Sequence, residues 1–200
     1  IIVTALEHHA NFVPWQQLCR RTGAELFVLP IDEHADIRLD ILEDTLTSSN
    51  AAIVALTHVS NVTGTINPLA DVIQCCHRHG VPVIVDAAQS IRHEPVDVSA
   101  LDCDCLCFSG HKILGPTGIG VLYGKADFLE SLDPTRFGGE MVDKVSIGGT
   151  TFQDPPLRFE AGTPNYVGAL ALSTALDYID MIGRQRISSY EHSLLQYAQG

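Results

Sequence analysis

Lysine is almost missing from the chain. Lys112, Lys125 and Lys144 are the whole complement, and 12 basic residues stand against 24 acidic ones, for a net charge of −12 over 200 residues. A surface of that sign repels nucleic acid and anionic lipid before contact, which excludes both as partners and leaves small molecules or proteins. No apolar run approaches the ~20 residues of a membrane-spanning helix. The first residues also lack the basic, apolar and small-residue order of a secretory signal, so a soluble, cytoplasmic protein is expected. The six cysteines fall mostly inside apolar stretches and form no disulfide framework, so free thiols in a reducing compartment are expected. There is no G-x-G-x-x-G fingerprint, no phosphate-binding Walker loop and no G-x-S-x-G elbow, which removes the evidence for dinucleotide, nucleotide and serine-hydrolase chemistry. Internal repeats, low-complexity tracts and linkers are absent as well.

What is present is a core. With 46% apolar residues the chain can bury a substantial interior, and one domain over residues 1–200 is expected. The chain opens on Ile1-Ile2-Val3 and stops in a helical pattern at Ala198-Gln199-Gly200, the look of a piece cut from a longer protein. Short runs rich in β-branched residues at Ile1 to Ala5, Leu26 to Leu29, Ala51 to Leu56, Val81 to Val85 and Cys103 to Phe108 read as buried strands, with another from Thr117 to Tyr123. Helical patterns separate them, which predicts an α/β fold with a mainly parallel sheet flanked by helices. Asn67-Pro68 predicts an N-cap and first-turn proline. Leu69, Val72, Ile73 and Cys76 then share one helical face, and Gly80 ends the helix. Thr163-Pro164 opens a long helix with Leu172, Leu176 and Ile179 inward, while Gly138-Gly139 and Gly148-Gly149 mark loops.

In such sheets ligands collect at the carboxyl ends of the strands. Four of those ends are polar: Glu7-His8-His9-Ala10-Asn11, Thr57-His58-Val59-Ser60-Asn61, Asp86-Ala87-Ala88-Gln89 and Ser109-Gly110-His111-Lys112. Lys112 alone of the three lysines directly follows a buried strand. A desolvated amine there is a usable nucleophile towards an aldehyde, although the same residue can equally be a lysine that snorkels to solvent. Asp86 ends an apolar strand with a carboxylate that is costly unless paired, and a protonated ring nitrogen, a helix N-terminus or a metal ion would each pair it. An imidazole at His8 or His9 could stack on a planar group, move a proton or bind zinc. No second cluster has the spacing of a closed metal site, so no metal is expected. Cys103, Cys105 and Cys107 alternate along one strand and read as core residues, as do Cys75 and Cys76. Ser109 and His111 flank the lysine and can donate to a phosphate. Thr163 at a helix start can do so too, or can serve as an ordinary N-cap.

Taken in order, the Glu7 to Asn11 segment with Val13-Pro14-Trp15, Thr57 to Gly64, Val85 to Gln89, Ser109 to Lys112 and Phe159-Glu160-Ala161-Gly162-Thr163-Pro164-Asn165 resemble the class V aminotransferase superfamily. More narrowly, they are similar to its group II cysteine desulfurases and selenocysteine lyases. The resemblance covers essentially the whole chain. It implies the large domain of a fold-type-I enzyme dependent on pyridoxal 5′-phosphate (PLP), with residues 1–200 as its central part and an N-terminal segment and C-terminal small domain missing. It also implies a homodimer that takes sulfur from L-cysteine, forms an enzyme persulfide, releases L-alanine and passes the sulfur to an acceptor protein, with L-selenocysteine, from which selenium would be taken, as the alternative substrate.

By position, Lys112 would hold the cofactor covalently and Asp86 would pair with the pyridine nitrogen. Gln89 would bond the phenolic oxygen, His8 would stack on the ring and Asn61 would lie near the phenolic oxygen and the substrate carboxylate. Ser109 and His111 would hold the phosphate, and Thr163 would reach the phosphate of a neighbouring subunit. The family's sulfur-accepting cysteine sits in an Arg-x-Gly-x-His-Cys loop that does not occur here, so these residues alone are expected to be a poor desulfurase. Competing expectations are another PLP enzyme of the superfamily, such as an aminotransferase or kynureninase-like hydrolase, a cofactor-free scaffold, and a metal-dependent hydrolase using His8, His9, Asp86 and His111.

Overall fold

A computed structural model describes residues 1–200. Six strands, β1 (Ile2–Thr4), β2 (Phe27–Leu29), β3 (Val54–Thr57), β4 (Val83–Asp86), β5 (Cys105–Ser109) and β6 (Gly120–Gly124), form one sheet in the order β2-β1-β3-β4-β5-β6. The first five run parallel and β6 returns antiparallel at the edge. All the strands read from the sequence are present and shorter than expected, and β3, β4, β5 and β6 each end one residue later than read.

The helices are α1 (His9–Thr22), α2 (Leu39–Ser48), α3 (Leu69–Arg78), α4 (Val98–Leu101), α5 (Ala126–Glu130), α6 (Tyr166–Ile182) and α7 (Arg184–Gln199). On α3 the apolar face found in the sequence is the buried one, with Val72, Ile73 and Cys76 all at most 2% exposed. They join Leu56, Val83 and Val85 in a core of 19 residues. Burying such side chains stabilises the fold by about 1.5–3 kcal/mol each, before the entropy of ordering the chain is counted.

Two local expectations need correcting. Asn67 is no helix cap. Its side chain is buried and donates to the carbonyl of Thr57 at 2.7 Å, bracing the loop after β3, and Pro68 takes the cap position. Thr163 does not cap α6 either: the Asn165 side chain accepts from the Gly168 amide, because only Asn165 stands three residues ahead of a free N–H. Beyond the six expected strands there is an antiparallel hairpin, β7 (Val142–Ser146) and β8 (Gly149–Phe152), whose turn is the loop that Gly148 marks. Its strands are almost wholly exposed, so they carry none of the alternating burial by which a strand is recognised.

Candidate active site

The chain runs from β1 to β2 on one side and returns to β3, β4 and β5 on the other, so the order of the sheet reverses between β1 and β3. Loops leave that point in opposite directions and open a crevice at the carboxyl ends of the strands. A cleft of about 520 Å³ lies there, lined by His8, Ala10, Asn11, Thr57, Asn61, Asp86, Ala88, Gln89, Cys107, Phe108, Ser109, His111 and Lys112. Its size falls within the usual range for small-molecule sites, about 300–1,000 Å³. Seven of the eight site residues read from the sequence are therefore brought together. The eighth, Thr163, is exposed on the loop before α6 and does not reach this cleft. No group of three or more His, Cys, Asp or Glu side chains is arranged to bind a metal ion, and no helix is long and apolar enough to cross a membrane.

Each wall has a structural origin. Lys112 sits in a 3-10 turn, Gly110–Ile113, that continues directly from β5. Ile113, 1% exposed, anchors the turn against Leu172 and Ile179 of α6 while Lys112 points the other way and is half-buried rather than sunk in the core. Gly110 must lack a side chain, since a Cβ there would come within 3.0 Å of both the Ile119 carbonyl and its Cγ2. Across the sheet, Thr57, Asp86 and Cys107 are direct neighbours in register on β3, β4 and β5, and all three line the cleft. Cys107 is thus a cleft residue and not the core residue expected. Burial and the nearby Asp86 charge push its thiol up to about 11.

The Asp86 carboxylate accepts the Ala88 amide at 2.9 Å through Oδ1, a turn contact in place of the helix cap weighed for an Asp after a strand, since turns and no helix follow it. Oδ2 has no partner in the protein and remains free for a donor in the cleft. His8 caps α1: its Nδ1 accepts the Ala10 amide at 3.1 Å, so the ring proton belongs on Nε2. The side chains of Asn61, Gln89, Ser109, His111 and Lys112 form no hydrogen bond within the protein, whereas Glu7, Asn11 and Thr57 behind them are fully engaged. Hence the cleft presents a row of uncommitted polar groups on a braced wall. Glu7, Asn11 and Cys107 were not assigned roles from the sequence. The spacing of Glu7 and Asn11, one helical turn apart, was the available signal for two of them.

The model of the family described as aminotransferase class-V matches residues 1–200. The chain belongs to the class V aminotransferases. Within that family it is 54% identical over 198 residues to a cysteine desulfurase of Cronobacter sakazakii, covering 98% of this chain and 48% of the relative. Among solved structures it overlays on the cysteine desulfurase CsdA of Escherichia coli with a TM-score of 0.94 at 44% identity, covering 99% of this chain and 49% of that one. It also resembles a variant of C-DES with glycine covalently linked to its PLP cofactor, at 29% identity and a TM-score of 0.78, covering 91% of this chain and 49% of that one. This class V chain thus has the fold-type-I architecture of PLP-dependent cysteine desulfurases, and it spans about half the length of the curated relatives it matches.

Proposed function

We propose that the chain is the cofactor-holding part of a PLP-dependent cysteine desulfurase, which moves sulfur from L-cysteine onto an enzyme cysteine and releases L-alanine. The observation that carries this reading is the convergence of Lys112, the half-free Asp86 carboxylate and five more polar side chains on one cleft. The group fits these residues. Lys112 Nζ would hold it covalently, Asp86 Oδ2 would pair with its ring nitrogen and His8 would lie against the ring. Gln89 and Asn61 would reach its phenolic oxygen, with Asn61 also near the substrate carboxylate, and Ser109 and His111 would hold the phosphate. When bound, PLP supplies an electron sink for the substrate α-carbon.

The work of the chain is to sustain that chemistry. The Asp86 carboxylate would keep the ring nitrogen charged. Lys112 Nζ would carry the substrate α-proton. Nε2 of His8 is the ring nitrogen left free to move a proton. The sulfur acceptor has to be a thiolate. Cys19, Cys75, Cys76, Cys103 and Cys105 are buried and line no part of the cleft, and burial pushes the thiol of Cys107, which does line it, up to about 11. We place the acceptor cysteine in a segment other than residues 1–200. The remaining parts of the proposal are a soluble, cytoplasmic homodimer in which Thr163 serves the partner's phosphate, an acceptor protein for the sulfur, and L-selenocysteine as the alternative substrate.

The test uses the full-length protein loaded with PLP. Borohydride should fix the cofactor onto Lys112, read by peptide mapping, and L-cysteine with a thiol reductant present to cleave the persulfide should yield alanine and sulfide in equal amounts. A keto acid in place of alanine would overturn the desulfurase reading, and no label on Lys112 would overturn the cofactor site.

A further inference from the structure

Glu7 is a partly buried carboxylate that the reaction above leaves idle. It stands between β1 and α1, one residue before His8, and both of its oxygens are engaged. Oε1 accepts the Thr4 hydroxyl at 2.5 Å and the Thr57 backbone N–H at 3.0 Å, while Oε2 accepts the Asn11 amide at 2.6 Å. Asn11 in turn accepts the Trp15 indole N–H at 3.1 Å. The three donors belong to the end of β1, the first turn of α1 and the end of β3, which are the segments that build one wall of the cleft. Asn11 and Thr57 line the cleft themselves, and Thr57 is the register neighbour of Asp86. Burial works against the charge, raising the Glu7 pKa with a smaller push from Asp86, while the three hydrogen bonds favour the ionised form. A purely structural link across this corner could be made by apolar packing. A partly desolvated carboxylate is a costlier substitute.

The first turn of α1 carries no other acid, and the His8 side chain is tied only to the Ala10 amide, so the attitude of its ring follows the backbone. That backbone is held to the sheet through Asn11 and Glu7. We propose that Glu7 is a positioning residue for the cofactor: by clasping Thr4, Asn11 and Thr57 it sets the height of His8 and Asn11 above Asp86, so that the His8 ring meets the cofactor face. This deepens the functional reading above and rests on it.

The variant Glu7→Gln keeps the size and one acceptor oxygen, but it turns an NH2 group towards the Asn11 amide. Asn11 cannot flip to accept it without setting its own NH2 against the Trp15 indole N–H. The double variant Glu7→Gln with Asn11→Asp restores a donor facing an acceptor. In the full-length holoprotein, the single variant is expected to change the visible circular dichroism of bound PLP and to speed PLP release about tenfold, the worth of one to two hydrogen bonds. The double variant is expected to recover most of both. A single variant that lowers the melting temperature of the PLP-free protein while leaving the dichroism and release rate at wild-type values would make Glu7 merely structural and sink the inference. A double variant no better than the single one would do the same. Wild-type protein that takes up no PLP at Lys112 overturns the functional reading and this inference together, which distinguishes the two failures.

Discussion

The turn that carries Lys112 has no room for one added methyl group. A Cβ on Gly115 would stand 2.8 Å from the Gly110 carbonyl oxygen and 2.9 Å from Leu172 Cδ1. Neither neighbour yields cheaply. The Gly110 oxygen is already accepting the Gly115 amide at 2.9 Å, and Leu172 is packed with Ile113 and Ile179. Overpacking of this kind costs about 1–3 kcal/mol. For a chain of this size Gly115→Ala should therefore lower the melting temperature by roughly 2–12 °C. Gly110 belongs to the 3-10 turn and Ile113 of that turn packs on the same Leu172, so the strain passes into the turn and PLP uptake at Lys112 should fall as well. Gly118→Ala is the matched control. Gly118 needs a positive φ of 77° but has open space around it, so alanine there costs about 1–2 kcal/mol of backbone strain without pushing on the Lys112 turn. Differential scanning fluorimetry with PLP titration separates the two. The argument fails if Gly115→Ala binds PLP like the wild type, or if Gly118→Ala loses uptake to the same degree.

Two further outcomes follow from the titrating groups. Glu43 clasps α2 to α3 through Cys75, His79 and Arg78, and these partners hold its pKa down from 4.5 to about 2. A depressed acid stabilises the folded state fully above its unfolded pKa, and this contribution is lost as pH falls through the folded value. Denaturant titrations between those limits should show the wild type losing stability more steeply than Glu43→Gln, and parallel curves would refute the clasp. For the thiols, an alkylating reagent at about pH 8, near the titration of a free cysteine, should leave Cys75, Cys76, Cys103 and Cys105 unmodified in the native protein and label all six on unfolding. Stoichiometric native labelling of Cys76 or Cys105 would contradict their burial.

The polar strand ends were legible because a parallel strand buried on both faces is an apolar run, and the residue that breaks the run announces its carboxyl end. Asp86 after Val81-Pro82-Val83-Ile84-Val85 and the Ser109 to Lys112 tetrapeptide after β5 are marked in this way, and both lie in the cleft. Register was not legible. The alignment of Thr57, Asp86 and Cys107 depends on ladders between strands about 20 to 30 residues apart, and nothing in one strand's composition states its offset from the next. For that reason Cys107 reads as core in the sequence although it lines the cleft.

Glu7 shows the same gap in sharper form. Two of its partners, Thr4 and Asn11, are local and visible at helical spacing, but the Thr57 amide that ties it to the far side of the cleft is 50 residues away. The wrongly placed caps have the opposite origin. Asn67 and Thr163 are good capping residues by type, but at Asn67 a tertiary acceptor competes for the side chain and at Thr163 a neighbour, Asn165, takes the cap. At Asn67 the Thr57 carbonyl wins, and the side chain that would have capped α3 instead holds the loop bearing Asn61 against the end of β3. A residue misread as local punctuation is thus part of what fixes the cleft. The parts of this site that sequence conceals are the contacts that set distances between segments, while the groups that would touch a ligand stand in plain view.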